Sequence, residues 1–391
     1  MKISPLCAVA VASVLASVAL AEPASASSIN TGAADGPYQG NFCPVLAKQL
    51  RLAQFDFSCT PSAGTRENVE RVLADPRQLG YAELDAFLVV SKELAAEQAL
   101  SIVRQDDVRQ CLYAVTRNPE LTNWGEVAAN AQRLRFILPA AASDSSVSFQ
   151  FLRSVDPSGV GKAKEVAHTP AIETAIREAL SAGDTVGLFV QFPDPDSEPF
   201  PLIKELGGHI VPVIDRTILR QEVGGRKIYF AQETRVERPE WVRSARKIVT
   251  ACTPVLLFTG SAGKVAPDKA RKDHEDLIRT ISALNASALM PEEGLISKLL
   301  KRSKELSAAS TEQVLEASEQ ARQKARPYTD KAMETARETA EQAKEAAARA
   351  SDAAKPYLDK SKEAARKAYD DAMKLAKELM QKKPESPPKN D

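Results

Sequence analysis

From about residue 296 to residue 391 the chain loses nearly all aromatic and β-branched residues and becomes Ala, Lys, Glu and Arg. Such a stretch is expected to be helical or solvated, and the shift marks a domain boundary. Ser310-Thr311-Glu312-Gln313 reads as a capped start, and the helical pattern can run to about Gln381. Ala325-Arg326-Pro327-Tyr328 recurs 29 residues later as Ala354-Lys355-Pro356-Tyr357. That spacing is about eight helical turns, so both Pro-Tyr steps face the same way. Each proline is expected to end or kink the helix, giving rods joined at bends. Met333, Ala336, Ala340, Ala343 and Ala347 form a narrow seam of small side chains for weak pairing with another helix. Residues 297–391 hold 21 Lys plus Arg against 17 Asp plus Glu, too mild an excess for strong electrostatic binding to an anionic bilayer. Leu358, Tyr369, Met373, Leu375 and Leu379 are the best candidates for membrane or partner contact. A solvated helical spacer is the alternative.

The opposite end reads as an address. Met1-Lys2-Ile3 precedes an uncharged apolar run from Leu6 to Leu20, followed by Ala24-Ser25-Ala26, the pattern of a secretory signal peptide over residues 1–26. The run is short for a bilayer span, and the expected location is periplasmic. Residues 27–41 are small and polar and read as a flexible leader. Beyond the signal, four cysteines remain, in a compartment that permits disulfides. Three pairings are open. Cys43 with Cys59 is favoured by proximity in sequence and Cys111 with Cys252 by their place on two strand-like runs, with buried free thiols as the alternative. The net charge of zero argues against nucleic acid as a partner. Neither the cysteine spacing nor the scattered His168, His209 and His274 suggests a metal site, and no cofactor is expected.

Between the two ends, residues 42 to about 290 alternate short apolar runs with amphipathic ones, the pattern of an α/β fold with largely parallel sheets. Pro44–Ala53 is expected as a helix, Phe55–Cys59 as a strand and Arg66–Ala74 as a helix. The intervening loop Thr60-Pro61-Ser62-Ala63-Gly64-Thr65 aims backbone N–H groups and hydroxyls above a helix start, which suits an anion or serves as an ordinary cap. Leu79–Val90 and Leu100–Thr116 read as strands. Strand, hydroxyl-rich loop and helix recur at Leu134–Pro139, Ala142–Ser146 and Val147–Ser154. Further on come a helix at Thr169–Ser181, strands at Thr185–Phe192 and His209–Ile214 flanking a helix at Phe200–Leu206, a hairpin around Gly224-Gly225, a helix at Glu240–Ile248 and a last strand at Ala251–Thr259.

Catalytic signatures fail on inspection. Ser158-Gly159-Val160-Gly161-Lys162-Ala163 has Asp156 where a phosphate loop needs its first glycine and Ala163 where it needs Ser or Thr. No Gly-x-Ser-x-Gly elbow occurs, and Asp194-Pro195-Asp196 with Glu198 reads as a solvated turn rather than a cation site. No catalytic residues are assigned.

In order, these elements resemble a type II periplasmic solute-binding protein, most closely the TAXI kind that serves TRAP transporters. Four places over residues 38–290 carry the likeness: Gly64-Thr65-Arg66-Glu67-Asn68, similar to the family's Gly-Ser-x-x-Asn loop; Leu79–Asp85; Val115–Asn118 with Leu134–Pro139 and Ser143–Ser146; and Thr185–Asp215. The resemblance implies a two-lobed α/β fold, residues 42–116 with 248–290 forming one lobe and 117–247 the other, plus the long C-terminal helical extension 296–391. It implies a small solute, carboxylate-type by the positive potential of helix starts and Arg66, held by Ser62, Gly64, Thr65, Arg66, Glu83, Ser143, Ser145, Ser146 and Gln191 and passed to membrane transporter subunits. The sequence departs from the pattern at Ala63, at Thr65 in place of serine, and at Asp144, an acid that would repel an anion. Arg66 paired with a neighbouring acid is the alternative to its facing a solute.

Overall fold

The computed structural model describes residues 27–237, 246–285, 289 and 304–381. The export signal expected over 1–26 and residues 240–245 of the helix expected at Glu240–Ile248 lie outside the described residues.

An 11-stranded mixed sheet carries the body. Its first end is built from β1 (Ser27–Asn30), β2 (Phe57–Thr60) and β3 (Leu79–Glu83), with β1 parallel to both neighbours. Its other end is built from β5 (Arg135–Leu138), β6 (Glu165–His168), β7 (Thr185–Gln191) and β8 (His209–Pro212), with β5 parallel to β6 and β7. Two long strands join the ends: β4 (Leu100–Thr116) and β12 (Lys247–Gly260), antiparallel to each other. β12 continues onto β3, and β4 onto β7 and β8, all antiparallel. The expected parallel pairing therefore holds within each end only. A chain that crosses between two lobes and returns must run antiparallel where it passes itself. The result is two α/β lobes sharing a pair of strands. Pro254, which has no N–H to donate, sits where the β4–β12 register slips. Both disulfides form, Cys43–Cys59 and Cys111–Cys252, the second between residues directly opposed on the shared strands.

Helices cover the sheet: α1 (Cys43–Leu52), α2 (Thr65–Ala74), α3 (Leu84–Glu93) and α9 (Asp268–Ala283) toward the first end, and α4 (Trp124–Asn130), α5 (Asp144–Val155), α6 (Ile172–Ala179) and α7 (Pro199–Glu205) toward the second. One apolar cluster, including Phe87, Leu112, Trp124, Phe136 and Phe149, runs through both lobes. A short α8 (Arg216–Leu219) and the hairpin β9 (Glu222–Val223) to β10 (Arg226–Lys227) precede β11 (Phe230–Arg235), which pairs with β12 and with β13 (Lys304–Glu305).

Four expectations are corrected. Residues 27–41 are not a flexible leader: β1 inserts between β2 and β3 with Ile29 and Asn30 fully buried, and Tyr38 and Phe42, on a π-helical turn, join the core. One apolar residue sufficed because Asn30 satisfies its amide internally, donating to the Leu79 carbonyl at 3.0 Å. The strand expected over Leu79–Val90 is strand only to Glu83 and helix thereafter, since a short run apolar at most positions outside Glu83 and Asp85 does not distinguish the two by period. Lys247 and Ile248, expected in a helix, belong to β12.

The C-terminal helix supplies the fourth correction. α10 (Ala308–Gln381) continues through Pro327 and Pro356, so neither proline ends it. Each removes one backbone donor, and long Ala-rich flanks outweigh that local loss. Nor does the compact body stop near residue 296: it extends to Gln323, and Lys324–Asp391 forms a second unit, whose Tyr369 and Met373 are exposed. Leu315 is buried against Ile214 and Ala231. Ser318 donates to the Ile214 carbonyl at 3.2 Å, and a side chain at Gly125 would collide with the Ser318 carbonyl at 2.3 Å. Arg322, 8% exposed, donates to both Asp156 oxygens at 2.9 and 3.1 Å, with Asp215 at 3.7 Å. Asp156 also accepts from the Gly159 N–H at 3.0 Å, so the glycine turn that superficially looked like a phosphate loop wraps an internal carboxylate. No described helix is long and apolar enough to cross a membrane.

Removing one partner of a buried ion pair leaves the other uncompensated, so Arg322→Ala is expected to destabilise the body by about 3 kcal/mol. Urea unfolding of the variant checks this, and an unchanged midpoint would show that the helix start contributes nothing to the body.

Candidate functional site

The two loop-to-helix junctions singled out in the sequence meet between the lobes. Gly64 precedes α2 with φ of 125°, a conformation that only glycine adopts without strain. A Cβ there would also lie 3.2 Å from the Asp144 carboxylate. Asp144 is the first residue of α5, in the opposite lobe, and its Oδ1 accepts from the Thr65 N–H, the first of α2, at 2.9 Å. One carboxylate thus sits at two helix N-termini, its own and the facing one, where unpaired N–H groups and both dipoles favour negative charge. The acid that the sequence suggested would repel an anion takes the anion's place.

Beneath it lies Glu83, the last residue of β3, 1% exposed. The Tyr38 hydroxyl donates to Glu83 at 3.2 Å, and Gln110 Nε2 donates to that hydroxyl at 2.7 Å. Burial, and then the neighbouring Asp144 charge, hold the Glu83 carboxyl well above its ordinary value, so it keeps its proton and hydrogen-bonds Asp144. Burial likewise raises Asp85, which accepts from the Tyr229 hydroxyl at 2.6 Å. Tyr38 is raised by burial and then by Glu83. An aromatic contact closes the same seam: Phe192, just beyond β7, lies 5.8 Å from Tyr38 and 5.6 Å from Phe42.

The remaining expected site residues divide. Ser62 accepts from the Gly64 N–H at 3.3 Å, and Ser143 caps α5 through the Ser146 N–H, so both serve their own loops. Ser145 is buried and accepts from the Val190 N–H at 2.9 Å, while Ser146 donates to the Pro139 carbonyl at 3.0 Å. Arg66 pairs with Glu93, which Gln150 of α5 also contacts, making a polar clasp across the rim. Gln191 ends β7 opposite Cys111. Gly64, Thr65 and Glu83 are therefore brought together with Asp144, while Ser62, Arg66, Ser143, Ser145, Ser146 and Gln191 are engaged in capping, strand or rim contacts. Tyr38 and Gln110 are not among the expected site residues, and Asp144 is expected only as an acid opposed to an anion. Asp144 had a signal, an isolated acid in a hydroxyl-rich helix start; Tyr38 and Gln110 had none, being far apart in sequence.

No protein-family model matches this chain, and no curated relative matches it. Among solved structures it is similar to the BvgS VFT2 domain of Bordetella pertussis at 12% identity, covering 71% of this chain and 92% of that one, TM-score 0.36. It is also similar to PhnD1 from Prochlorococcus marinus in complex with methylphosphonate, at 11% identity, 74% and 96% coverage and TM-score 0.40. The GluR0 ligand-binding core complexed with L-glutamate gives 12% identity, 72% and 99% coverage and TM-score 0.39. At these values the likeness is remote.

A carboxyl whose folded-state pKa is raised binds more protons than the unfolded chain does, so the stability it supports falls with rising pH. The contribution of Glu83 is present in full below its ordinary value of 4.5 and is lost as pH climbs toward the higher folded value. Thermal unfolding followed upward from about pH 4.5 is expected to show this decline in the wild type and a flatter profile in Glu83→Gln, which keeps a donor without a titrating proton. Parallel profiles would contradict the assignment.

Proposed function

We propose that this chain is an extracytoplasmic binding protein, not an enzyme, that captures a small carboxylate-bearing solute between its lobes and presents it to membrane transporter subunits of the TRAP type. In this reading one lobe takes residues 42–116 with 248–290, completed by β1 and Tyr38 from the segment before them, and 117–247 form the other. The observation that supports it is the Asp144 carboxylate on the Thr65 N–H: the lobes close around a carboxylate, here their own. A solute carboxylate would take that position as Asp144 withdraws with α5, and the Arg66–Glu93 clasp would open and close with it. Ser62, Ser143, Ser145, Ser146 and Gln191 line the approach in the proposed open form.

A specific observation favours a second reading. Thr65, Glu83, Asp85, Ser145 and Ser146 are all buried, and the Thr65 N–H, Ser145 and Ser146 hydrogen-bond the protein's own groups. A body of that kind would act as an envelope scaffold, with the helical unit beyond Gln323 contacting a membrane surface or another helix.

Calorimetry with succinate, glutarate and L-glutamate separates the two. Under solute capture, Asp144→Ala frees the Thr65 N–H and is expected to bind one of these about tenfold or more tightly than the wild type, the scale of one charge-assisted hydrogen bond. Absence of binding by both proteins would overturn solute capture and leave the scaffold.

A further inference from the structure

A half-open cavity of about 380 Å³ lies away from the cleft, between α8, β11 and the first turns of α10. That volume falls within the ~300–1,000 Å³ of small-molecule sites. Its floor is apolar, formed by Leu219, Phe230, Leu306 and Leu315. Its mouth is charged, and the charges do not cancel. Glu312 is paired with Arg216, and Glu305 with Arg109, whose guanidinium also lies 3.7 Å above the Phe230 ring. Arg220 and Lys227 also line the cavity, are exposed and make no ion pair among the described residues, although Glu222 stands directly across the hairpin from Lys227. Apolar side chains beside two cations that are not ion-paired suit a molecule with an apolar body and an anionic head. A neutral apolar ligand would leave the cations unused, and a cationic one would meet them.

We propose that this cavity binds a small amphiphilic carboxylate, its chain against Leu219, Phe230, Leu306 and Leu315 and its head between Arg220 and Lys227. Leu315 belongs to α10 and Leu219 to α8, so one wall is the C-terminal helix and the other is the body. Occupancy therefore ties the start of α10 to the lobe it packs on. The site is distinct from the cleft: Asp144 and Thr65 do not line it, and its link to the cleft is Tyr229, whose hydroxyl donates to Asp85.

Octanoate is a suitable probe, with octylammonium as the charge-reversed control and acetate as the head alone, titrated into the full-length mature protein by calorimetry. Saturable octanoate binding is expected, with neither control binding measurably. The double variant Arg220→Glu, Lys227→Glu alters exposed side chains only and is expected to weaken octanoate about tenfold or more, on the scale of losing charge-assisted contacts. Hydrogen exchange supplies the location: octanoate is expected to protect amides of residues 304–316. Comparable binding of octylammonium, octanoate affinity unchanged in the double variant, protection at residues 63–66 instead, or no octanoate binding would each overturn the proposal.

Discussion

A single carboxylate placed at two helix N-termini governs how the lobes meet. Asp144 begins α5 and accepts from the first N–H of α2, so a charge that would be costly between lobes is held where backbone dipoles of both lobes favour it. Several features follow from its presence. Gly64 has no side chain to stand in its way. Glu83, buried below it, keeps a proton because two adjacent carboxylates in a buried site cannot both ionise cheaply. Tyr38 and Gln110 extend the chain of donors, reaching β4, one of the strands the lobes share.

Those shared strands make such a contact possible. β4 and β12 pass through both lobes, and the Cys111–Cys252 bridge fixes their register where they cross. It closes a loop 141 residues apart in sequence, worth about 4 to 5 kcal/mol by the loop-entropy model. With the crossing fixed, lobe movement is confined to the strands on either side of it. The Arg322–Asp156 pair acts similarly at the other extremity, holding the first turns of α10 on the body and thereby forming one wall of the second cavity.

Much of this was legible in sequence wherever one segment sufficed to state it. The strand Leu100–Thr116, the helices at Arg66–Ala74 and Val147–Ser154 and the Gly224-Gly225 hairpin follow from local period and turn chemistry. Ser27–Asn30 was unreadable because its place between β2 and β3 depends on hydrogen bonds to Leu79 and Gln78 rather than on its own apolar content. The docked start of α10 was hidden because Leu315, Ser318 and Arg322 sit in a composition dominated by Ala, Glu and Lys. At the cleft, loop chemistry picks out Gly64 and Thr65, and Asp144 is legible as an acid opposed to an anion, but its contact with the Thr65 N–H is not. Sequence shows a charge; only the fold shows that two helix ends converge on it.

The distance between the lobes tests this most directly. Spin labels on Glu70→Cys in α2 and Asp184→Cys before β7, both exposed positions, report that distance by double electron–electron resonance. If the Asp144–Thr65 contact holds the lobes together, the otherwise native protein gives one narrow distance distribution, and adding Asp144→Ala shifts it to longer, broader distances. Identical distributions with and without the carboxylate would contradict it.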